Sequence, residues 1–210
     1  MELCVVWQDV HDIEADLVVL KVIDVDPDQS GRFLGASLAV AKSLISAEVC
    51  QWNVVRQTLE EQGYCAVDPG RAMAAGTVRF SLTGPPPFRY ASVFRFARRI
   101  TSAVDPTHRH LATTLHGPGL GLRQEAAFAV QIDGLLSGLS AGEVERVSIV
   151  ERDHEVATKM RGWLLARFAD AERIPDGVRL TTLPRGVRHP REWAAGANLD
   201  SADARFFSAL

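Results

Sequence analysis

The sequence has little of what marks the more easily recognised protein classes. Only three of its 210 residues are cysteine, Cys4, Cys50 and Cys65, an odd number with no short metal spacing among them. That argues against a disulfide framework and a thiolate zinc site, and leaves buried thiols in a reducing compartment as the expectation. No apolar run approaches the roughly 20 residues needed to cross a bilayer. The opening MELCVVWQDV carries an acid at its second position and runs straight into a strand pattern, so neither a signal peptide nor a membrane segment is expected, and the location implied is cytoplasmic. An excess of positive charge is missing too. Lys plus Arg is 23 against 26 for Asp plus Glu, a net charge of −3, which gives no general electrostatic reason to bind nucleic acid. The phosphate-loop ending G-K-[ST] and the dinucleotide pattern G-x-G-x-x-G are both absent.

What is present reads as one α/β domain. Hydrophobic residues make up 47% and charged residues 23%, ordinary values for a globular core. LCVVWQDV and the unbroken ADLVVLKVID suit strands buried on both faces of a sheet. FLGASLAVAKSL then has helical spacing. Ser46 is placed to cap a further helix over residues 47–63, AEVCQWNVVRQTLEEQG, with Glu48 in its first turn and Gly63 as its stop. AGTVRFSLTG predicts a strand closed by the turn GPPPF. Residues 91–104 predict an amphipathic helix with Val93, Phe96, Ala97, Ile100 and Val104 on its apolar stripe and Arg95, Arg98 and Arg99 outside it. The strand HLATTL, a helix holding Ala126, Ala127, Val130, Leu135 and Leu139, the strand RVSIVER, a helix capped by Asp153 and the strand GVRLTTL complete the alternation. It predicts a three-layer α/β/α fold with a mixed, mainly parallel sheet over residues 1–183. Residues 184–210, richer in Pro, Arg, Gly and Ala, read as a tail or short helix ending in SADARFFSAL.

The stretch with most chemical content is Leu111–Phe128, LATTLHGPGLGLRQEAAF, in which a strand runs into Gly117, Gly119 and Gly121 and then directly into a helix. Unpaired N–H groups at a helix start, approached closely through glycines, can hold an anion. The same glycines can simply serve a tight turn, and the lone G-x-G does not separate the two readings.

The order of parts from residue 107 to 168 resembles the macro domain, the ADP-ribose-binding module, and its relative at the N-terminus of leucine aminopeptidases. It resembles more closely the divergent macro-like segments of bacterial multidomain defence or stress proteins. The resemblance implies a ligand of ADP-ribose or nucleotide type, with the backbone of Gly117, Gly119, Leu120 and Gly121 around its phosphates, Thr114 and His116 in support, and Asp9 of the Asp9-Val10 step at the base. Asp153, with His154 beside it, would lie near the mouth. No cofactor and no metal is implied. Macro-domain hydrolases and many binders place asparagine after the second strand, whereas LKVIDVD has none. The resemblance therefore implies binding without chemistry, with ADP-ribosyl hydrolysis as the least favoured alternative. From the aminopeptidase relative only a regulatory or assembly role carries over. A further alternative is a structural interaction domain with a vestigial pocket. The tail would then dock a protein partner or a second copy.

Other polar groups have simpler readings. Asp24, Asp26 and Asp28 lack the glycine and the ligand number of a calcium loop. His108 and His110 share a strand face with no third ligand nearby in sequence. Glu151 and Arg152 read as a surface pair beside the Asp153 cap.

Overall fold

The computed structural model describes residues 1–23, 33–84, 88–139, 144–169 and 179–180. Along the chain run β1 (Glu2–Trp7), β2 (Leu17–Val22), α1 (Ala36–Ser46), α2 (Trp52–Gln62), β3 (Tyr64–Val67), β4 (Thr77–Leu82), α3 (Tyr90–Ser102), β5 (His110–Thr114), α4 (Gln124–Gly138), β6 (Arg146–Glu151), α5 (His154–Arg167) and the two-residue β7 (Arg179–Leu180). They form one sheet in the order β3-β4-β2-β5-β6-β1-β7. Every pairing is parallel except β3 with β4, so the sheet is mixed and mainly parallel, as the alternation predicts.

Alternate strand residues supply two separate cores. Leu3, Leu17, Val19, Leu111, Val147 and Ile149 face Phe96, Phe128, Ile132 and Met160 of α3, α4 and α5. Val18, Leu20, Val22, Phe80 and Val150 face Val40, Leu44, Val55 and Leu59 of α1 and α2. All six residues of β2 are buried, which is why that segment reads as an apolar run, interrupted by Lys21. The arrangement is a three-layer α/β/α fold.

Helices on the first face are fitted by small residues and one ion pair. A Cβ at Gly134 or Gly138 of α4 would overlap the carbonyl oxygens of Phe94 and Arg98 in α3, so the two helices meet backbone to backbone. Thr101 Oγ1 of α3 donates across that seam to the Leu135 carbonyl at 3.0 Å. Arg167 of α5 places one nitrogen 2.7 Å from both carboxylate oxygens of Asp133 in α4.

Local signals hold in several places. Gly63 ends α2 at φ 76, and the Asp153 carboxylate accepts the Val156 N–H at 3.0 Å to cap α5. Three differences have physical causes. Ser46 is the last residue of α1 and caps nothing; a turn with Glu48 at φ 58 follows, and α2 begins only at Trp52 with no acid in its first turn. Cys50 accordingly lies in that turn and not in a helix. Strand β3, too short to show a pattern, forms because Gly63 reverses the chain and lays Cys65 beside Phe80. The cysteines are unpaired, and burial pushes the Cys50 and Cys65 thiols up. No helix among the described residues is long and apolar enough to cross a membrane. The aspartates 24, 26 and 28, the prolines of GPPPF and the tail 184–210 lie outside the described residues.

Candidate functional site

The carboxyl ends of β1, β2, β5 and β6 open on a cavity of about 320 Å³. In parallel α/β sheets this is the edge where unpaired backbone groups and loops converge. Its walls are Gln8–His11 after β1, Lys21 of β2, the start of α1 from Leu34 to Ser37, Thr114, Leu115 and Gly119 after β5, and Val150–Arg152 at the end of β6.

After β1 the chain folds on itself around Asp9. Its Oδ1 accepts the His11 backbone N–H at 3.0 Å and lies 2.7 Å from the His11 ring nitrogen Nδ1. Those bonds, with a smaller contribution from the Arg152 charge, hold the Asp9 carboxyl below the usual range. Gln8 donates from its side chain to the Asp12 carbonyl at 2.8 Å and steadies the same turn.

After β5 the three glycines do three different jobs. Gly117, at φ 118, is buried; a Cβ there would come within 2.9 Å of Leu122 Cδ1 and 3.1 Å of Ala127 Cβ. Gly121, at φ 84, closes the turn by donating to the Pro118 carbonyl at 3.1 Å. Only Gly119 borders the cavity, with nothing within 4 Å of an added Cβ. The Leu120 N–H is also used inside the loop, on the Gly117 carbonyl at 2.8 Å.

His116 is fully buried beneath the loop, edge-on to Phe96 at 4.6 Å. Thr113 Oγ1 donates to the Val19 carbonyl at 2.8 Å, so the His116 Nε2–H, 3.2 Å away, donates to that hydroxyl. Nδ1 is then a buried acceptor with no partner among the described residues. Burial, helped by the nearby Lys21 charge, holds this imidazole well below its ordinary value, so it is neutral. Gln131, buried on α4, clips the loop in place: its oxygen accepts the His116 N–H at 2.8 Å and its nitrogen donates to the Thr114 carbonyl at 3.0 Å.

The structure thus brings Asp9, Thr114 and Gly119 to one cavity. Gly117, Leu120, Gly121 and His116 shape the loop behind it, and Asp153 is occupied in capping α5. Glu151 and Arg152 both line the cavity, and Glu151 accepts the Asp153 N–H at 2.9 Å, so its carboxylate serves the strand end and not a surface pair with Arg152. Lys21 and Gln131 were not anticipated. A lone lysine inside the apolar run LVVLKV was the available signal for the first. Gln131 leaves none, because its partners are backbone groups distant in sequence. Among the described residues no group of three His, Cys, Asp or Glu side chains converges as a metal site would require.

No family model and no curated protein matches the sequence. Solved structures do match its backbone. The Trypanosoma brucei macrodomain in complex with ADP superposes at a TM-score of 0.57 and 15% identity over 77% of this chain and 67% of that one. The Oceanobacillus iheyensis macrodomain with MES bound gives 0.59 and 11%, over 81% and 92%. The IBV X-domain gives 0.51 and 10%, over 75% and 93%. The chain has the macrodomain fold. Within the macrodomain architecture its cavity combines Gly119 of the glycine loop, a buried cation at Lys21 and a helix start at Gly35–Ser37, a set suited to holding an anion.

Proposed function

We infer that this chain is a non-catalytic macro-type module that binds ADP-ribose or a related nucleotide in the cavity above β1, β2, β5 and β6. The observation that carries this reading is the conjunction of Lys21 and Gly119 on one cavity wall at the carboxyl edge of a macrodomain-fold sheet. Two relatives in fold support the ligand class: the Trypanosoma macrodomain was solved with ADP, and an Oceanobacillus macrodomain variant with ADPR. The absence of chemistry is argued from the end of β2, LKVIDVD, in which no asparagine occurs. We read the module as a sensor or regulatory part of a bacterial defence or stress system, with residues 184–210 docking a partner.

Calorimetry with ADP-ribose, NAD and nucleotides tests the reading: saturable heat is expected, and none from a folded protein refutes it. Gly119→Val fills the cavity edge where open space now lies and is expected to abolish binding with the protein still folded. Wild-type protein should release no ADP-ribose from ADP-ribosylated protein; measurable turnover would remove the non-catalytic part of the reading.

A further inference from the structure

Lys21 is the single charged residue of β2 and is 9% exposed. Among the described residues it has no ion-pair partner; the Phe88 ring lies 6.0 Å from Nζ, a weak cation–π contact. A buried ammonium without a counter-charge is costly, and a methionine of similar length would fill the space without that cost. Among the described residues, packing therefore gives no reason for a lysine here. The Ser37 hydroxyl donates to the Lys21 carbonyl at 2.6 Å, and Lys21 shares the cavity wall with Gly35, Ala36 and Ser37. These open α1, an eleven-residue helix whose first turn has neither a side-chain cap nor an acidic residue, so its N–H groups add partial positive charge.

Among the described residues, the titratable groups around the cavity do not neutralise this charge. His116, the one close enough to feel Lys21, is neutral. Asp9 is engaged by His11, and Glu151 by the Asp153 N–H. Arg152 adds a second cation to the lining. Burial lowers the Lys21 ammonium itself to about 8, so a proton is readily gained or lost there near neutral pH.

We propose that Lys21 is the specificity-determining residue of this cavity, selecting ligands that set a phosphate oxyanion against its ammonium and the start of α1. The proposal rests on the nucleotide-binding reading above and narrows it. Affinity is set by phosphate charge: a nucleoside diphosphate with its terminal phosphate gains most from Lys21, a diphosphate diester less, and an uncharged nucleoside nothing.

The test is calorimetry of the full chain with adenosine, ADP-ribose and ADP, on wild type, Lys21→Met, Lys21→Gln and Lys21→Arg. Loss of the charge is expected to weaken ADP by about 10- to 100-fold, the scale of a charge-assisted hydrogen bond. ADP-ribose should weaken less and adenosine not at all, and Lys21→Arg should recover part of the ADP affinity. At pH 8 wild type should also take up a fraction of a proton with ADP, read from heats in buffers of different ionisation enthalpy, and Lys21→Met should take up none. Unchanged ADP affinity in folded Lys21→Met or Lys21→Gln overturns the proposal and leaves the binding reading standing. If wild type binds no nucleotide, inorganic pyrophosphate decides, followed by the NMR titration of the Lys21 ε-carbon. A raised midpoint would keep Lys21 as an oxyanion reader and refute the nucleotide reading, and no shift would refute both.

Discussion

The sheet around β5 and β6 carries a polar cluster at each end. At the amino end Cys4 Sγ lies 3.2 Å from Ser148 Oγ, and Ser148 Oγ lies 2.8 Å from His110 Nε2. Asp16 beside them accepts the backbone N–H groups of both Arg109 and His110 at 2.7 Å. At the carboxyl end His116 Nδ1 has no partner and Lys21 no counter-ion among the described residues, and there the cavity opens. The two ends differ in depth, Asp16 being exposed and His110 half-buried where His116 and Lys21 are buried. They differ also in whether these polar groups satisfy one another. The amino-end cluster contributes to holding the sheet; the carboxyl-end cluster costs stability, a cost that a ligand can offset.

The largest expected effect comes from removing that cost. The fall of Lys21 from 10.5 to about 8 corresponds to roughly 3 kcal/mol against the charged form. Lys21→Met should therefore be more stable than wild type at pH 7, by up to about that amount, while losing ligand. Between pH 8 and 10.5 the unfolded chain holds more protons than the folded one at this site, so wild-type stability should rise with pH across that window. Denaturant midpoints for the two proteins at pH 7 and pH 10 measure both effects; a destabilised Lys21→Met would end the contrast between the two ends.

Ser148→Ala should act in the opposite direction. It leaves Cys4 and His110 without their shared hydroxyl and is expected to cost about 1–3 kcal/mol in urea unfolding. Its ADP affinity should match wild type, because the residue lies at the far end of the strand. Weakened binding would mean that the two ends are coupled.

The smallest effect separates the ends by pH. His116 and His110 are both held below the ordinary histidine value by burial, so the unfolded chain gains protons first as pH falls below 6.5. Wild-type stability should decline there, and His116→Leu should remove the greater part of the slope, since His116 is the fully buried one. Asp16 acts lower on the scale: its bonds depress its carboxyl, so its stabilisation is present above 3.8 and is lost as pH falls through the lower folded value. An equal slope in His116→Leu would assign the decline to His110 instead.

The parts of the fold that could be read from the sequence were those written in adjacent residues. The buried β2 shows as an apolar run, the stop of α2 as Gly63, the cap of α5 as Asp153, and the α3 stripe as Val93, Phe96, Ala97 and Ile100. Each depends on periodicity or on a backbone conformation that one residue type favours, so each needs only its neighbours. The glycine loop was legible as a loop in the same way, but the separate roles of Gly117, Gly119 and Gly121 were not. Gly117 is required by contacts with Leu122 and Ala127, while Gly119 faces open space. Strand β3 and the meeting of α3 with α4 through Gly134 and Gly138 likewise appear only once distant segments are laid together.

Local sequence therefore determined the alternation of strands and helices, the mainly parallel sheet it requires and the position of the turn after β5. Tertiary structure alone decided that Lys21 of one strand, Asp9 after another and Gly119 after a third share a cavity, and that His116 does not. The physical reason is range. Propensity and capping act over one turn of chain, whereas desolvation and an unpaired charge depend on what packs around a residue in space.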